Sequence, residues 1–126
     1  MNQFLILAGR VLLAAIFVVS GFGKLTGAEG FSGFLASLGF PAPLAMAYLV
    51  GAFELLAGVA VIVGFQARIV GIALALFCVA TGFLVHAGDQ TVLLKNIAMA
   101  GGFLVLAGSG AGAIAVDKTA RERRYA

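Results

Sequence analysis

The chain has 126 residues, 63% of them hydrophobic and 10% charged, and a formal net charge of +3 at pH 7. A water-soluble domain carries about 25% charged residues, so this composition excludes one and names lipid as the solvent. The length suits one domain, residues 1–126, of four spans with short connections, and leaves no room for a separate soluble domain.

A bilayer crossing takes roughly 20 apolar residues. Four runs meet or approach that: residues 4–22, 43–65, 69–85 and 97–116. The first contains "GRVLLAAIFVVSGFGK", an apolar stretch between Arg10 and Lys24. A cleavable signal would end in a small-residue A-x-A site. This run ends Ser20-Gly21-Phe22-Gly23-Lys24 and reads as an uncleaved first helix.

The first connection is longer than a turn. "AEGFSGFLASLGFPAP" sets Phe31, Phe34, Leu35 and Leu38 at helical spacing on one face. Such a helix suits the outer interface or a lid on the bundle mouth. Pro41 and Pro43 end it and restart the chain. The expected fold is therefore all-α: an integral membrane four-helix bundle with a short interfacial helix between the first and second spans.

The second run carries Glu54, eleven residues past Pro43 and so roughly 16 Å below the outer end. A charge at bilayer depth costs about 2.5–3.5 kcal/mol on insertion scales. Glu54 is therefore a structural carboxylate, protonated or salt-bridged, or a functional one. Depth arithmetic from Lys24 puts Arg10 within about one turn of Glu54. A buried Arg10–Glu54 ion pair is one expectation. The alternative leaves Arg10 snorkelling to the inner interface and Glu54 facing Lys24 or Lys95.

The third run holds Cys78, a small apolar packing residue by default, and ends near His86. The fourth is expected to open at Lys95 and Asn96 and to fray at "GSGAGA". Lys24, His86, Lys95 and Asn96 come from three helix ends at one level. Each is an ordinary interfacial residue alone. Together they form a candidate polar pocket with Phe22, Phe83 and Phe103 near its walls, in which His86 can exchange a proton near neutral pH. At the other end Arg68 and Asp117 are candidates for a surface pair.

Glycine and alanine inside the runs (Gly51, Ala57 and Gly58; Gly71 and Ala75; Ala98 and Gly102) favour close helix approach in lipid. One histidine and one cysteine give no recognised metal site, no C-x-x-C relay and no axial pair for a transmembrane haem. The tail "DKTARERRYA" is basic, whereas the cations of the first and third connections are balanced by acids. That bias places both termini in the cytoplasm. Topology and anionic lipid account for the tail, so no nucleic-acid partner is implied.

Three segments together resemble the DoxX family of small four-helix membrane proteins. They are "GRVLLAAIFVVSGFGKL", "FELLAGVAVIVGFQAR" and "LLKNIAMAGGFLVLAGSGAGAIAVD", and the resemblance runs from about residue 4 to 117. It implies a bacterial inner-membrane protein linked to quinone-coupled sulfur oxidation or to a membrane complex against oxidative stress. No covalent cofactor is implied, and quinone is the expected ligand. Lys24, Glu54, His86, Lys95 and Asn96 are the candidate ligand residues. The chain carries no electron carrier, so a redox partner protein has to supply one. Distant relatives assist folding or export of membrane proteins, which makes an assembly or scaffold role the alternative. A solute carrier is a third reading and would require a homo-oligomer.

Overall fold

A computed structural model describes residues 2–117. The basic residues Lys118, Arg121, Arg123 and Arg124, used above for orientation, lie outside the described residues. Among the described residues five helices of eight residues or more follow in order: α1 Gln3–Thr26, α2 Ala28–Ser37, α3 Pro43–Val63, α4 Ala67–Val85 and α5 Gln90–Ser109. No strand occurs among the described residues. Four of the helices, 24, 21, 19 and 20 residues long, are long and apolar enough to cross a membrane. At 1.5 Å per residue they span about 28–36 Å, which matches a hydrocarbon core of about 30 Å. The all-α reading and the four spans hold, and α2 lies where a short helix was expected.

Two boundaries differ from expectation for local reasons. The fourth spanning helix, α5, starts at Gln90, well before Lys95, because Asp89 caps it: its side chain accepts from the Val92 amide at 3.2 Å. It also stops at Ser109, not at 116. Gly110 takes φ +78°, which glycine tolerates and other residues resist, and residues 110–115 leave the helix.

Each long helix buries one narrow stripe. On α1 it is Arg10, Ala14, Phe17 and Gly21, and on α3 it is Ala47, Gly51, Glu54, Ala57 and Val61. On α4 it runs Ala67, Gly71, Leu74, Cys78 and Gly82, and on α5 Asn96, Ala100, Phe103 and Leu106. The spacings of three and four residues are those of one helix face. Leu, Ile, Val and Phe cover the remaining faces and are exposed, as lipid-facing surface requires. The three interior polar residues, Arg10, Glu54 and Asn96, all stand on the buried stripes.

The chain divides into two compact units. One comprises residues 14–59 and holds the end of α1, α2 and most of α3. The other comprises residues 2–13 and 60–117 and holds the start of α1, the end of α3, α4, α5 and the segment after it. In the first unit α1 and α3 touch backbone to backbone. A Cβ added at Gly21 would lie 2.5 Å from the Leu55 nitrogen and 2.7 Å from the Gly51 oxygen. Neither atom can swing aside. Gly21→Ala is expected to cost about 3 kcal/mol, the upper range for overpacking. Gly23→Ala, whose Cβ meets nothing within 4 Å, should leave stability unchanged or raise it by up to about 1 kcal/mol. Thermal unfolding of both variants in one detergent checks the contrast, and equal midpoints would remove the close-approach argument.

Candidate functional site

In the unit of residues 14–59, Lys24 Nζ donates to Glu54 Oε1 at 2.6 Å. The side chains are 20% and 6% exposed respectively. Glycine makes the short distance feasible. The α1 and α3 backbones meet at Gly21, and the first methylene of Lys24 lies against Gly51. The two side chains therefore leave adjacent backbones and need to bridge little space. Above the ammonium, the Phe31 ring of α2 stands with its centroid 4.7 Å from Nζ, within cation–π range.

The placement of α2 follows from helix lengths. α1 ends two residues after Lys24, whereas α3 starts eleven residues before Glu54. At 1.5 Å per residue α3 extends about 16 Å past the pair and α1 only about 3 Å. α2 occupies that level. Ala28 and Leu35 of α2 bury against Ala47, with Phe31, Phe40 and Met46 packed around them. Phe34 and Leu38, expected on the same face, are 42% and 43% exposed instead. The apolar face is thus divided, with half holding α2 to α3 and half turned outward.

The expected Arg10–Glu54 pair is replaced by other partners. Glu54 takes Lys24, and Arg10 donates only to backbone carbonyls. Its Nη1 reaches Ala111 O at 2.6 Å, and its Nη2 reaches Ile62 O at 2.8 Å and Ile114 O at 2.9 Å. Ile62 lies in the last turn of α3, where carbonyls lack helical donors. It is eight residues, or about 12 Å, along the helix from Glu54. The depth arithmetic failed because it took Lys24 for the outer end of the bundle, while Lys24 lies at the level of Glu54. Arg10 is 2% exposed, so the snorkelling alternative does not describe it either.

Arg10 belongs to a polar cluster that pins residues 110–117. Gln3 Oε1 accepts from the Ala113 amide at 2.7 Å. Asp117 accepts from the amides of Gln66 and Ala67 at 2.7 and 2.8 Å. A carboxylate there complements the positive end of α4. Arg68 Nη1 donates to the Ala107 and Gly108 carbonyls at 3.0 and 2.9 Å, at the negative end of α5. The expected Arg68–Asp117 pair is thus replaced by two helix-end contacts.

The other candidate residues are in this second unit. Asn96 lies six residues inside α5 and donates to Cys78 O at 3.2 Å and Thr81 Oγ1 at 3.1 Å. That is an inter-helix bond of the kind lipid favours. Lys95 is exposed. His86 is half-buried and ends α4 by donating its amide to Gly82 O. Of the expected walls, Phe103 is buried, whereas Phe22 and Phe83 are 61% and 57% exposed. Sequence reasoning missed Phe31 as the partner of Lys24, Asp117 as the cap of α4, and the 111 and 114 carbonyls. Phe31 alone carried a signal, as the first aromatic after Lys24 on the α2 face.

The DoxX family model matches residues 5–87, which include Arg10, Lys24, Phe31 and Glu54. The chain belongs to the DoxX family. It is 33% identical over 118 residues to the "Inner membrane protein YqjF" of Escherichia coli, covering 90% of this chain and 89% of that one. It is 32% identical over 124 residues to the "Inner membrane protein YphA" of the same organism, with the same coverage. A third relative, the "Putative oxidoreductase CatD" of Bacillus subtilis, is 45% identical over 67 residues, or 53% of this chain and 48% of that one. No solved structure matches at a significant level. This DoxX chain is therefore a membrane protein with one ion pair among the described residues, Lys24–Glu54, inside its spans.

Proposed function

We propose that this DoxX protein is an inner-membrane subunit of a redox-linked complex and holds a quinone headgroup at the Lys24–Glu54 pair. The observation that carries the reading is the pair itself: a donor and an acceptor joined at 2.6 Å under an aromatic ring. An ammonium offers three donors, so Lys24 can keep Glu54 and still donate to a quinone carbonyl. Glu54 can accept from the hydroxyl of the reduced form. Phe31 offers a face for the ring. Electrons pass through a cofactor-bearing partner, because this chain's residues supply no carrier. The names of the Escherichia coli relatives support the inner membrane, and the oxidoreductase name of the Bacillus subtilis relative supports the redox link. The basic tail supports cytoplasmic termini.

The test is extraction of the full-length protein, purified in mild detergent, with mass spectrometry of the lipophilic extract. About one quinone per chain is expected. Phe31→Ala should weaken retention about three- to tenfold, the value of one aromatic contact, and Lys24→Met should abolish it. Wild-type protein free of quinone after purification from quinone-replete membranes would sink the reading. A second reading, assembly of a partner membrane protein, draws on α5. Gly101 and Gly108 are exposed there, with open space over each, and a partner helix can approach closely at such positions. Loss of a partner's abundance on deletion, with no quinone bound, would favour it.

A further inference from the structure

We propose that Ser20 is a further ligand-contacting residue of the Lys24–Glu54 site, and that its hydroxyl binds a second oxygen on the ligand ring. The inference rests on the quinone reading above and narrows the ligand to rings that carry two oxygens.

Ser20 precedes Lys24 by about one turn of α1. Residues four apart lie on one side of a helix, with Cβ atoms about 5–6 Å apart. The glycine contacts set the level of each group. The Lys24 Cβ lies 2.9 Å from where a Cβ at Gly51 would stand, and Gly21 is packed against Gly51 and Leu55. Glu54 falls between Gly51 and Leu55 on α3, so it is level with Gly21 and with the adjoining Ser20. Lys24 therefore leans back along α1, toward the turn that holds Ser20, to reach Glu54 at 2.6 Å. Long helical side chains lean in that direction.

The polar groups at that level have bonding capacity left. Lys24 gives one N–H to Glu54 Oε1 and keeps two. Glu54 is 4% exposed, yet its Oε2 accepts from no described residue. Ser20 Oγ is half-buried and also has no partner among the described residues. Other helical hydroxyls behave differently. Thr26 and Thr81 turn theirs back onto the carbonyls of Phe22 and Phe77, and Ser37 onto that of Phe34. Ser20 leaves the equivalent Ile16 carbonyl alone. A hydroxyl without a bond in an apolar medium is unfavourable, and a ligand oxygen relieves it.

Ser20 also stands at the margin from which a lipid-soluble ligand arrives. It lies between the buried Phe17 and Gly21 and the exposed Ile16, Val19 and Gly23. A Cβ at Gly23 would meet nothing within 4 Å, so the α1 surface beside Lys24 is open. A ring whose first oxygen accepts from a spare Lys24 N–H can present a second oxygen to Ser20. A phenol with a single oxygen satisfies Lys24 and Glu54 Oε2 and leaves Ser20 unused.

The experiment measures two probes, a short-chain benzoquinone and an alkylphenol with the same tail. Both are equilibrated with the full-length protein in mild detergent, with protein-free micelles as the reference. Wild type should bind both. Ser20→Ala removes a hydroxyl that bonds to nothing described, so the unfolding midpoint should hold or rise slightly, alanine being the better helix former. The variant should weaken the benzoquinone about two- to tenfold, the contribution of one hydrogen bond, and leave the alkylphenol unchanged. Ser20→Thr restores the hydroxyl and should recover most of the loss. Unchanged benzoquinone binding in Ser20→Ala would overturn the role of Ser20, as would equal weakening of both probes. A lower unfolding midpoint in Ser20→Ala would assign the hydroxyl to the fold instead. Wild type that binds no benzoquinone would sink the quinone reading itself, and this inference with it.

Discussion

Arg10→Leu is expected to destabilise the detergent-solubilised protein by about 3–5 kcal/mol, the cost of stranding groups that a buried charge had satisfied. The guanidinium holds three carbonyls, those of Ile62, Ala111 and Ile114. A hydrogen bond to a charged group contributes about 1.5–3 kcal/mol, and a buried acceptor left without a donor costs about 1–3 kcal/mol. Leucine fills the space and donates nothing. No helical donor waits for these carbonyls, because Ile62 lies in the last turn of α3 and residues 111 and 114 lie outside regular structure. Arg10→Lys keeps the charge but not the fork, so it should recover part of the loss. Lysine also has no counterpart of Nε, which is buried without an acceptor in the native protein. Two measurements check this. The unfolding midpoint should fall in the order wild type, Lys, Leu. Hydrogen exchange at the Ala113 and Asp117 amides, which bond to Gln3 and Gly64, should accelerate. Unchanged exchange in Arg10→Leu would mean that Gln3 and Asp117 hold residues 110–117 without it.

The partners of Arg10 show why sequence reaches some contacts and not others. Spans announce themselves through length and hydropathy, because lipid forces every backbone group into a helix and every outward face to be apolar. α2 announced itself through the spacing of Phe31, Phe34, Leu35 and Leu38. A carbonyl has no residue type, so the acceptors at 62, 111 and 114 left no mark on the sequence. Glycines in "GSGAGA" marked only the end of a helix, not the segment that returns beneath Arg10. Glu54 was legible as a buried carboxylate in need of a cation. Its partner was not, because the answer depended on where α1 ends relative to α3, a matter of packing at Gly21 and Gly51. Reading Lys24 as an end residue placed it too far out, and Arg10 then appeared to be the cation at the right depth. Lys95 and Asn96 misled in the opposite sense. An Asp89 cap extends α5 upstream, which moves both residues into the helix and leaves Lys95 exposed and Asn96 bonded to α4.

The Lys24–Glu54 pair sets the other large expectation, a strong coupling in a double-mutant cycle. Lys24→Met should leave Glu54 at 4% exposure without its ammonium, and Glu54→Leu should leave Lys24 without its carboxylate. Breaking a buried pair from one side costs about 3–5 kcal/mol. Lys24→Met should approach that range. Glu54→Leu should cost less, because the Lys24 side chain is 20% exposed and keeps the Phe31 ring. The double variant leaves no orphan charge and replaces the pair by apolar side chains of similar length, an exchange that is often neutral or stabilising. It should therefore be more stable than Lys24→Met alone, with a coupling of about 2–3 kcal/mol. Chemical denaturation in a single detergent at fixed ionic strength measures all four corners. Gly21 and Gly51 bring the backbones together without help from the charges, so the double variant should keep the helix content of the wild type. If the two losses simply add, the 2.6 Å contact contributes nothing to stability beyond its separate members. If the double variant is stable yet binds no quinone, the pair is present for its chemistry and the glycine contacts alone hold the helices.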